Sequence, residues 1–439
     1  MPKMKNVAEN EEKFRGVLKA RGIDAKIGPK LDEGLKIYTE WKQTNPKLGA
    51  MRAEMNKLAE QFNKTKDKQL LEKTKEIKTK IAELELTVRK QEETIEKIEI
   101  VLPNWLDPTV PIGVEGEGKN LKYVGRPKVT ADAEKEFAKN YPGVGFDRID
   151  YKPFHHYDLV WNLVDQEKAG EVAQARFYYE LGDLVLLDFA LSMYAIEFFR
   201  KKGYAGTLMI PPYMLRKEIE AKTTYFEAFE DTLFEVEKEG LVLIPSSEHP
   251  ILAYYKERMF DVAELPLRIT AWSPAFRQEA GSHGKDTKGI FRVKQFHKAE
   301  IHSIVKKGED LAELDRIVDD AQEFMTTLGI PTRTVLLPSA DMDKRATKQI
   351  DIEAWMPGQG VYRETHSLAT IDTWASEKLG MRYREGETKE LTRHVYATAV
   401  AVQRAICAVA ENCYDPKKKA VIVPEPLKKY MMGVEEIRV

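Results

Sequence analysis

Residues 276–300 read FRQEAGSHGKDTKGIFRVKQFHKAE, and this stretch decides the fold. It predicts two strands joined by a polar loop punctuated by glycines. Side chains two positions apart on a strand share a face, so Arg277 is expected to point the same way as Glu279, and Arg292 the same way as Phe296. A single arginine beside a carboxylate is most often an ion pair. Two arginines on adjacent strands can instead converge on a phosphate, and this pattern indicates an anion site.

The sequence around this stretch predicts a mixed body of helices and strands. Strand character is found at residues 207–210, 241–244, 290–293 and 351–355, and helical character at 177–202 and 394–412. The strands do not alternate regularly with helices, which favours an antiparallel sheet with helices packed on it. Neither type of glycine-rich phosphate loop is present, so side chains would have to hold a nucleotide's phosphates.

The N-terminal region predicts an antiparallel helical hairpin over about 31–102, with its tip near 63–68. Two runs of residues follow steps of three and four, and they are apolar except at Thr44, Thr74 and Gln91. The apolar members are Ile37, Trp41, Leu48, Met51, Met55, Leu58 and Phe62, then Leu70, Ile77, Ile81, Leu84, Val88, Ile95, Ile98 and Leu102. The segment 63–68 between the runs has no apolar residue. The predicted fold class is therefore α+β, with a coiled-coil arm ahead of the body.

The arm divides into segments of opposite charge. Residues 47–80 hold ten Lys/Arg against five Asp/Glu, whereas 81–100 hold three against six. Heptad spacing alone suits a dimerisation coiled coil equally well. The positive outer half favours a polyanion partner, with Lys64, Lys66, Lys68, Lys73 and Lys75 as the candidate contacts.

The overall composition argues against several classes of protein. The 439 residues carry a net charge of −2, so the whole chain lacks the excess of basic residues typical of nucleic-acid binders. Local charge differs, because residues 276–298 hold six Lys/Arg against two Asp/Glu. Cys407 and Cys413 cannot form a four-cysteine zinc site, and no apolar run approaches the length of a membrane span. Without a predicted secretory signal, a cytoplasmic location is expected.

Ordered motifs along nearly the whole chain resemble those of a known family. The 276–300 stretch resembles the second signature motif of class II aminoacyl-tRNA synthetases, and its extended form is similar to that of the seryl-tRNA synthetase family. Further matches are residues 176–179, 210–212, 243–248, 355–360, 362–364, 379–384 and 401–404. The family's N-terminal helical arm matches the predicted hairpin.

The resemblance implies a set of catalytic and binding residues. Arg277, Glu279 and Arg404 would be catalytic, and ATP would contact these three together with Arg292, Phe296, Glu364 and Ser367. Serine would lie among Ser246, Glu248, Arg277, Glu300 and Thr398, and Mg²⁺ would be held by Glu364 and Ser367 without any zinc. Phe296 on its own could equally be a core residue, and Arg404 and Glu300 could be ordinary buried charges.

The resemblance also implies partners and domains. Residues 1–110 would form the tRNA(Ser)-binding domain, and 111–439 the catalytic domain. A homodimer would form through the segment around Pro211, with no membrane association. Phosphoryl activation by a carboxylate needs no general base, so His283 and His297 are expected to be structural or to contact RNA.

Several positions depart from the family pattern. Ser246 replaces a threonine, residues 396–398 read Tyr-Ala-Thr in place of Asn-Gly-Ser, and 366–371 and 376–378 also differ. These departures concern the amino-acid pocket and leave the phosphate-binding arginines in place.

Three functions compete. The first is ATP-dependent activation of serine and its transfer to tRNA. The second is a catalytically silent paralogue that binds RNA or dimerises, which decay of the phosphate-binding arginines would mark. The third is an adenylating relative that loads a carrier protein and lacks the arm. Arg277, Arg292 and Arg404 are all present, and so is the arm, which favours the first.

Overall fold

The computed structural model describes residues 2–225, 232–279, 286 and 288–439. The chain divides into two compact units, one ending at Trp105 and the other beginning at Leu106. The domain boundary expected from the family resemblance is at residue 110, five residues further along the chain than Trp105.

The first unit is helical and is built around a long hairpin. Its described helices are α1 (Met4–Glu9), α2 (Glu11–Ala20), α3 (Asp24–Thr65) and α4 (Lys68–Val101). The chain reverses at Lys66, which has a left-handed backbone (φ 54°), and at Asp67, whose side chain accepts a hydrogen bond from Gln69 N at 2.9 Å. This reversal lies within the segment 63–68 expected to form the tip, and the first long helix begins at Asp24, ahead of the expected residue 31.

The heptad residues form the interior of the hairpin. Leu48, Ile81 and Val88 are buried against each other, with Trp41, Met51, Met55, Ile77 and Leu84 packed around them. At the root of the hairpin, Phe14 and Leu18 of α2 pack with Leu31 and Ile98. Burial of this stripe stabilises helices that are polar on every other face.

The second unit combines helices with antiparallel sheets. In its described part the α-helices are α5 (Glu134–Asn140), α6 (His156–Leu159), α7 (Gln166–Val172), α8 (Asp183–Lys201), α9 (Lys217–Thr223), α10 (Glu248–Tyr254), α11 (Asp310–Thr327), α12 (Trp374–Leu379) and α13 (Val402–Asn412). The strands are β1 (Lys119–Val124), β2 (Lys128–Thr130), β3 (Asp147–Ile149), β4 (Val164–Asp165), β5 (Tyr179–Glu180), β6 (Thr207–Met209), β7 (Met214–Arg216), β8 (Glu235–Val236), β9 (Leu241–Leu243), β10 (Met259–Asp261), β11 (Leu267–Phe276), β12 (Gln295–Val305), β13 (Thr332–Leu336), β14 (Lys348–Met356), β15 (Val361–Thr370), β16 (Arg382–Glu385), β17 (Thr388–Leu391), β18 (Arg393–Ala401), β19 (Tyr414–Asp415), β20 (Ala420–Ile422) and β21 (Glu436–Arg438).

One large sheet organises this unit. Among the described residues its strand order is β1-β13-β14-β15-β18-β12-β11-β6, and every pair is antiparallel except β11 with β6. The α+β prediction is confirmed. In the described residues no helix is long and apolar enough to cross a membrane.

The two faces of the sheet have different roles. On β12, Ala299 and Ile301 lie in the hydrophobic core with helices α8, α11 and α13, whereas Lys298 and Glu300 line a cavity on the opposite side. The period of two along a strand therefore separates the core face from the polar face.

Two predicted elements are wrong in type or extent. The sequence predicts a helix over 394–401, but these residues form strand β18, which pairs with β12 and β15; the helix begins only at Val402. Residues 290–293 are an irregular segment with bends and not a strand, since β12 begins at Gln295. Arg277 and Glu279 likewise follow the end of β11 at Phe276, so strand alternation does not set their directions.

Candidate active site

A cavity of about 430 Å³ opens on the polar face of the large sheet. Every site residue predicted for the second unit lines it, namely Ser246, Glu248, Arg277, Glu279, Arg292, Phe296, Glu300, Glu364, Ser367, Thr398 and Arg404. The most distant of these residues are 158 positions apart in the chain, and the order of the strands in the sheet brings their side chains together. The arrangement is a concave pocket with convergent charged groups.

Arg277 and Phe296 lie beside each other in the lining of the cavity. The Arg277 guanidinium lies 5.3 Å from the centroid of the Phe296 ring, and its Nε donates to the carbonyl oxygen of Pro245 at 3.2 Å. Burial lowers the pKa of Arg277; the charge of Glu279 opposes this effect and that of Arg404 adds to it. Because a guanidinium group is not deprotonated in proteins, Arg277 supplies a fixed positive charge beside an aromatic face.

Two further arginines each pair with a carboxylate of the same cavity. Arg292 Nε donates to Glu279 Oε2 at 2.5 Å, where Glu279 has a left-handed backbone with φ 54°. Arg404 Nη1 lies 3.0 Å from Glu364 Oε1. Burial acts to raise the pKa of Glu364, but the charge and hydrogen bond of Arg404 outweigh it and lower that pKa. Arg277, Arg292 and Arg404 outnumber these two carboxylates, so this part of the pocket has an excess of positive charge.

Glu300 accepts hydrogen bonds at both of its carboxylate oxygens. It is 1% exposed, and the Ser246 hydroxyl oxygen lies 3.0 and 2.9 Å from its two oxygens. Ser247 donates from its backbone N at 2.7 Å and from its hydroxyl at 2.5 Å, and Lys298 donates at 2.7 Å. Burial would raise the pKa of Glu300, but Lys298 and the other polar contacts keep it below its usual range. The group is a carboxylate throughout the physiological range.

Thr398 and Glu248 complete this end of the cavity. Thr398 stands opposite Glu300 in the register of β12 and β18. The backbone N of Glu248 donates to Ser246 Oγ at 3.1 Å, while its carboxylate accepts from Arg345 at 2.8 and 3.2 Å. Glu248 thus reaches Ser246 through its backbone, and its side chain is engaged by Arg345.

His297 takes part in a hydrogen-bond network with α8 and α13. His297 Nδ1 lies 2.9 Å from Asp188 on α8, and its backbone N donates to Gln403 Oε1 at 2.8 Å. Gln403 in turn donates to Asp188 at 2.7 Å. This network joins α8, β12 and α13 behind Phe296 and Arg404. The loop histidine His283 lies outside the described residues.

The predicted RNA-contacting lysines lie on the outer half of the hairpin in the first unit. Lys64 is 71% exposed and pairs with Glu60 at 2.7 Å, and Lys66 lies 5.7 Å from the Phe62 ring. Lys73 and Lys75 are exposed, and the Lys68 side chain lies outside what the structure describes. Exposed ammonium groups around the tip fit contacts with a polyanion.

Comparison with known proteins agrees with this geometry. The model of the seryl-tRNA synthetase N-terminal domain matches residues 1–106, and that of the tRNA synthetase class II core domain (G, H, P, S and T) matches residues 232–413. The serine–tRNA ligase of Archaeoglobus fulgidus is 40% identical over 442 residues, covering 98% of this chain and 96% of that protein. The chain belongs to the seryl-tRNA synthetase family.

Other seryl-tRNA synthetases show the same correspondence over their whole length. The serine–tRNA ligase of Pyrococcus abyssi is 39% identical and matches 99% of this chain and 97% of its own. The crystal structure of seryl-tRNA synthetase from Pyrococcus horikoshii complexed with ATP has a TM-score of 0.94 at 36% identity, covering 100% of this chain and 99% of that one. The cytoplasmic serine–tRNA ligase of Naegleria fowleri in complex with AMP has a TM-score of 0.83 at 30% identity, with 98% and 96% covered.

In this member of the seryl-tRNA synthetase family, the residues present fit a divalent cation beside Glu364. Asp351 stands opposite Ser367 in the sheet, and its Oδ1 is buried with no hydrogen-bond partner in the described residues. Burial and the charge of Glu364 raise the pKa of Asp351 well above its ordinary value. A cation bound by hard oxygen donors would relieve both effects. No group of three or more His, Cys, Asp or Glu side chains in the described residues is arranged to hold a metal alone, so phosphate oxygens would have to complete the shell.

Sequence reasoning misses part of this seryl-tRNA synthetase site. Arg345 and Asp343, from the loop between β13 and β14, line the cavity and contact Glu248 and Tyr396. The available signal is the run Asp-Met-Asp-Lys-Arg at 341–345, four charges between two apolar strands. Asp351 belongs to a predicted strand, and nothing in the local sequence places it beside Glu364.

Proposed function

We propose that the protein is a serine–tRNA ligase, which activates serine with ATP to seryl-adenylate and transfers the seryl group to the 3′ end of tRNA(Ser). The observation that carries the proposal is the convergence of Arg277, Arg292 and Arg404 with Phe296 and Glu300 around one cavity. Such a set suits an anionic substrate with an aromatic base and a small ammonium-bearing partner.

In the activation step, a carboxylate oxygen of serine attacks the α-phosphorus of ATP, and the bond from that phosphorus to the bridging oxygen of pyrophosphate breaks. Arg277 binds the α-phosphate and the serine carboxylate, because two negative groups must approach each other there. Its fixed charge and its hydrogen bond to Pro245 hold the guanidinium in position before substrate arrives. No proton is transferred, so the step needs no general base.

The adenine and phosphates occupy the other half of the cavity. Phe296 stacks on the adenine ring, and Glu279 lies beside the adenine and the phosphates. Arg292 and Arg404 bind the β- and γ-phosphates, for which they exchange part of their present pairing with Glu279 and Glu364. Phosphate is the stronger partner, because it offers several charged oxygens to one guanidinium.

Mg²⁺ bound to ATP fits Glu364 and Ser367, with no zinc involved. When bound, Mg²⁺ neutralises phosphate charge and orients the polyphosphate. Glu364 and Ser367 project from the same strand, β15, so the protein contributes a carboxylate and a hydroxyl oxygen from one rigid element.

Serine lies against Ser246, Glu248, Glu300 and Thr398, with its carboxylate towards Arg277. Glu300 accepts hydrogen bonds from the substrate's ammonium and hydroxyl groups. Alanine lacks that hydroxyl and would leave buried polar groups unpaired, so it is rejected. Serine therefore binds through polar contacts that the smaller amino acid cannot make.

In the transfer step, the 3′-hydroxyl of the terminal ribose attacks the carbonyl carbon of seryl-adenylate, and the bond from that carbon to the phosphate oxygen breaks. AMP leaves, and the hydroxyl proton passes to a phosphate oxygen of the departing AMP. Residues 1–110 act as the tRNA-binding domain, whose positive outer arm recognises the RNA by shape and backbone.

The protein is proposed to act in the cytoplasm as a homodimer. Large apolar side chains next to Pro211 in the chain are exposed, including Leu208 (54%), Ile210 (67%) and Met214 (44%). Covering such a face with a second copy is the expected solution. Sedimentation should then give twice the mass of the 50.3 kDa chain, and a monomer at micromolar concentration would overturn this part.

The decisive test is amino-acid-dependent ATP/pyrophosphate exchange across the common amino acids, followed by charging of tRNA(Ser). Exchange with serine is expected. The alternative, a catalytically silent paralogue, predicts no exchange with any amino acid while RNA binding persists; the intact arginines argue against it. Exchange with a different amino acid only would overturn the serine assignment.

A further inference from the structure

A buried charged cluster closes the cavity beyond Glu300. Arg345 is 2% exposed, and its guanidinium donates to Glu248 at 2.8 and 3.2 Å and to Asp343 at 2.7 Å. It also donates to the backbone oxygen of Thr223 at 2.8 Å. A cation that is paired with two carboxylates and a carbonyl in a buried site is held in one orientation.

Tyr396 is fixed by the same cluster. Its hydroxyl donates to Asp343 Oδ2 at 3.2 Å, and the Arg345 guanidinium carbon lies 5.5 Å from the centroid of its ring. The opposite neighbour of Arg345 is Trp374, whose ring centroid lies 5.8 Å away. The ring of Tyr396 cannot turn aside without breaking the bond to Asp343 and disturbing a buried charge pair.

Tyr396 lies between the charged cluster and the residues proposed to bind serine. Tyr396 precedes Thr398 by two residues on β18, so both side chains lie on the cavity face, and Thr398 stands opposite Glu300. Glu248 links the two groups, because its backbone N donates to Ser246 while its carboxylate holds Arg345. The ring therefore stands one strand repeat beyond the groups proposed to bind serine.

We propose that Tyr396 is a specificity-determining residue that forms the end wall of the amino-acid subsite, and that Asp343 and Arg345 are the positioning residues that hold it. The inference rests on the proposed function and adds the means by which side chains larger than serine are refused. Glu300, Ser246 and Thr398 select for a hydroxyl, which threonine also carries. A rigid wall is then required to reject the additional methyl group, a discrimination worth about 10- to 200-fold in a pocket of fixed size.

The test compares serine and threonine in ATP/pyrophosphate exchange with wild type, Tyr396→Ala, Tyr396→Leu and Tyr396→Phe. The readout is the ratio of kcat/KM for threonine to that for serine. Wild type should use threonine at least about 10-fold less efficiently than serine. Tyr396→Ala should raise the ratio by at least about 10-fold and Tyr396→Leu by less, whereas Tyr396→Phe keeps the ring and should stay within a few-fold of wild type. An unchanged KM for ATP establishes that the nucleotide half is intact.

Variants of Asp343 provide an independent test of the inference. Asp343→Ala should raise the threonine-to-serine ratio, and Asp343→Asn, which retains an acceptor oxygen for Tyr396, should restore it towards wild type. If Asp343 had only a structural role, its substitution would lower kcat/KM equally for serine and for threonine, and the ratio would not change.

Two results would overturn the inference: wild type that uses both amino acids equally well, or a ratio that stays within a few-fold of wild type in Tyr396→Ala and Tyr396→Leu with a normal KM for ATP. Absence of serine-dependent exchange in wild type would instead contradict the proposed function.

Discussion

Arg404 and Glu364 contact each other within the cavity: Arg404 Nη1 lies 3.0 Å from Glu364 Oε1 and 3.0 Å from the backbone oxygen of the same residue. Arg292 makes the corresponding pair with Glu279 at 2.5 Å. Both arginines proposed to bind the β- and γ-phosphates are therefore already paired with a carboxylate. Polyphosphate must compete with those carboxylates, and a divalent cation beside Glu364 would compensate the charge that Arg404 leaves behind.

The first prediction concerns Glu364→Gln. The variant keeps the shape of the side chain but removes the charge proposed to bind Mg²⁺, so the Mg²⁺ concentration for half-maximal exchange should rise by at least about 10-fold. Titration of exchange against Mg²⁺ at fixed ATP measures this shift. Glu387→Gln, at an exposed turn of the same unit, is the matched control and should behave as wild type. An unaltered Mg²⁺ titration in Glu364→Gln would remove Glu364 from the metal site.

The second prediction concerns Arg277. Arg277→Ala should reduce exchange by at least about 100-fold, because a preorganised cation at the developing charge is lost. Arg277→Lys keeps a charge but not the planar fork, so its activity should lie between that of Arg277→Ala and that of wild type. Exchange rates under saturating serine and ATP test this order, with the exposed Arg384→Ala as the control. Equal activity of Arg277→Ala and Arg384→Ala would contradict the assignment.

The third prediction separates the arm from the catalytic unit. Replacing Lys64, Lys66, Lys73 and Lys75 together by Gln should leave serine-dependent exchange unchanged and weaken tRNA(Ser) charging, because the four exposed charges serve RNA binding alone. The slope of log K for tRNA against log salt should flatten by about 2 to 4, since each phosphate that the variant no longer neutralises keeps about one counterion. Four exposed lysines of the other unit, Lys135, Lys139, Lys307 and Lys389, form the matched control. A comparable loss of exchange and charging would show that the arm does more than bind RNA.

The sequence predicts the arm well, because its helices depend on local periodicity. Leu48, Ile81 and Val88 are buried where heptad spacing places them, and the chain reverses at Lys66 and Asp67. The local sequence pattern predicts the wrong secondary structure for residues 394–401, because their alanines and valines suit either a helix or a strand. Pairing with β12 and β15, nearly 100 and about 30 residues away in the chain, makes them a strand.

In the candidate site, contacts between residues close in the chain can likewise be predicted from the sequence, whereas contacts between distant residues cannot. Arg277, Phe296 and Glu300 stand within one motif, so their proximity is nearly fixed by short connections. Arg345 reaches Glu248 across 97 residues, and Tyr396 reaches Asp343 across 53. Contacts of that range depend on the topology of the whole sheet, which a short motif does not determine.

The last prediction concerns stability in acid and follows from His302, which lies two residues beyond Glu300 on β12. Its two ring nitrogens are buried with no hydrogen-bond partner in the described residues, and its ring stacks on His394 at 5.5 Å. Burial lowers the pKa of His302 to about 4, with the charge of Glu300 opposing and that of Lys298 assisting. In the unfolded chain this histidine has a pKa near 6.5 and binds a proton below that pH, whereas in the folded protein it stays neutral down to about pH 4. The free energy of unfolding therefore falls as the pH drops from about 6.5 to 4.

Substitution of His302 by Phe removes this titration without leaving a buried polar atom. Between pH 7.5 and pH 5.0, the loss of unfolding free energy should be smaller in His302→Phe than in wild type by about 2 kcal/mol. Urea unfolding at the two pH values measures the difference, and His155→Phe, at a less buried histidine, should retain the wild-type loss. If His302→Phe lost as much stability as wild type over this interval, His302 would have to be protonated in the folded protein, and burial beside Glu300 would not keep it neutral.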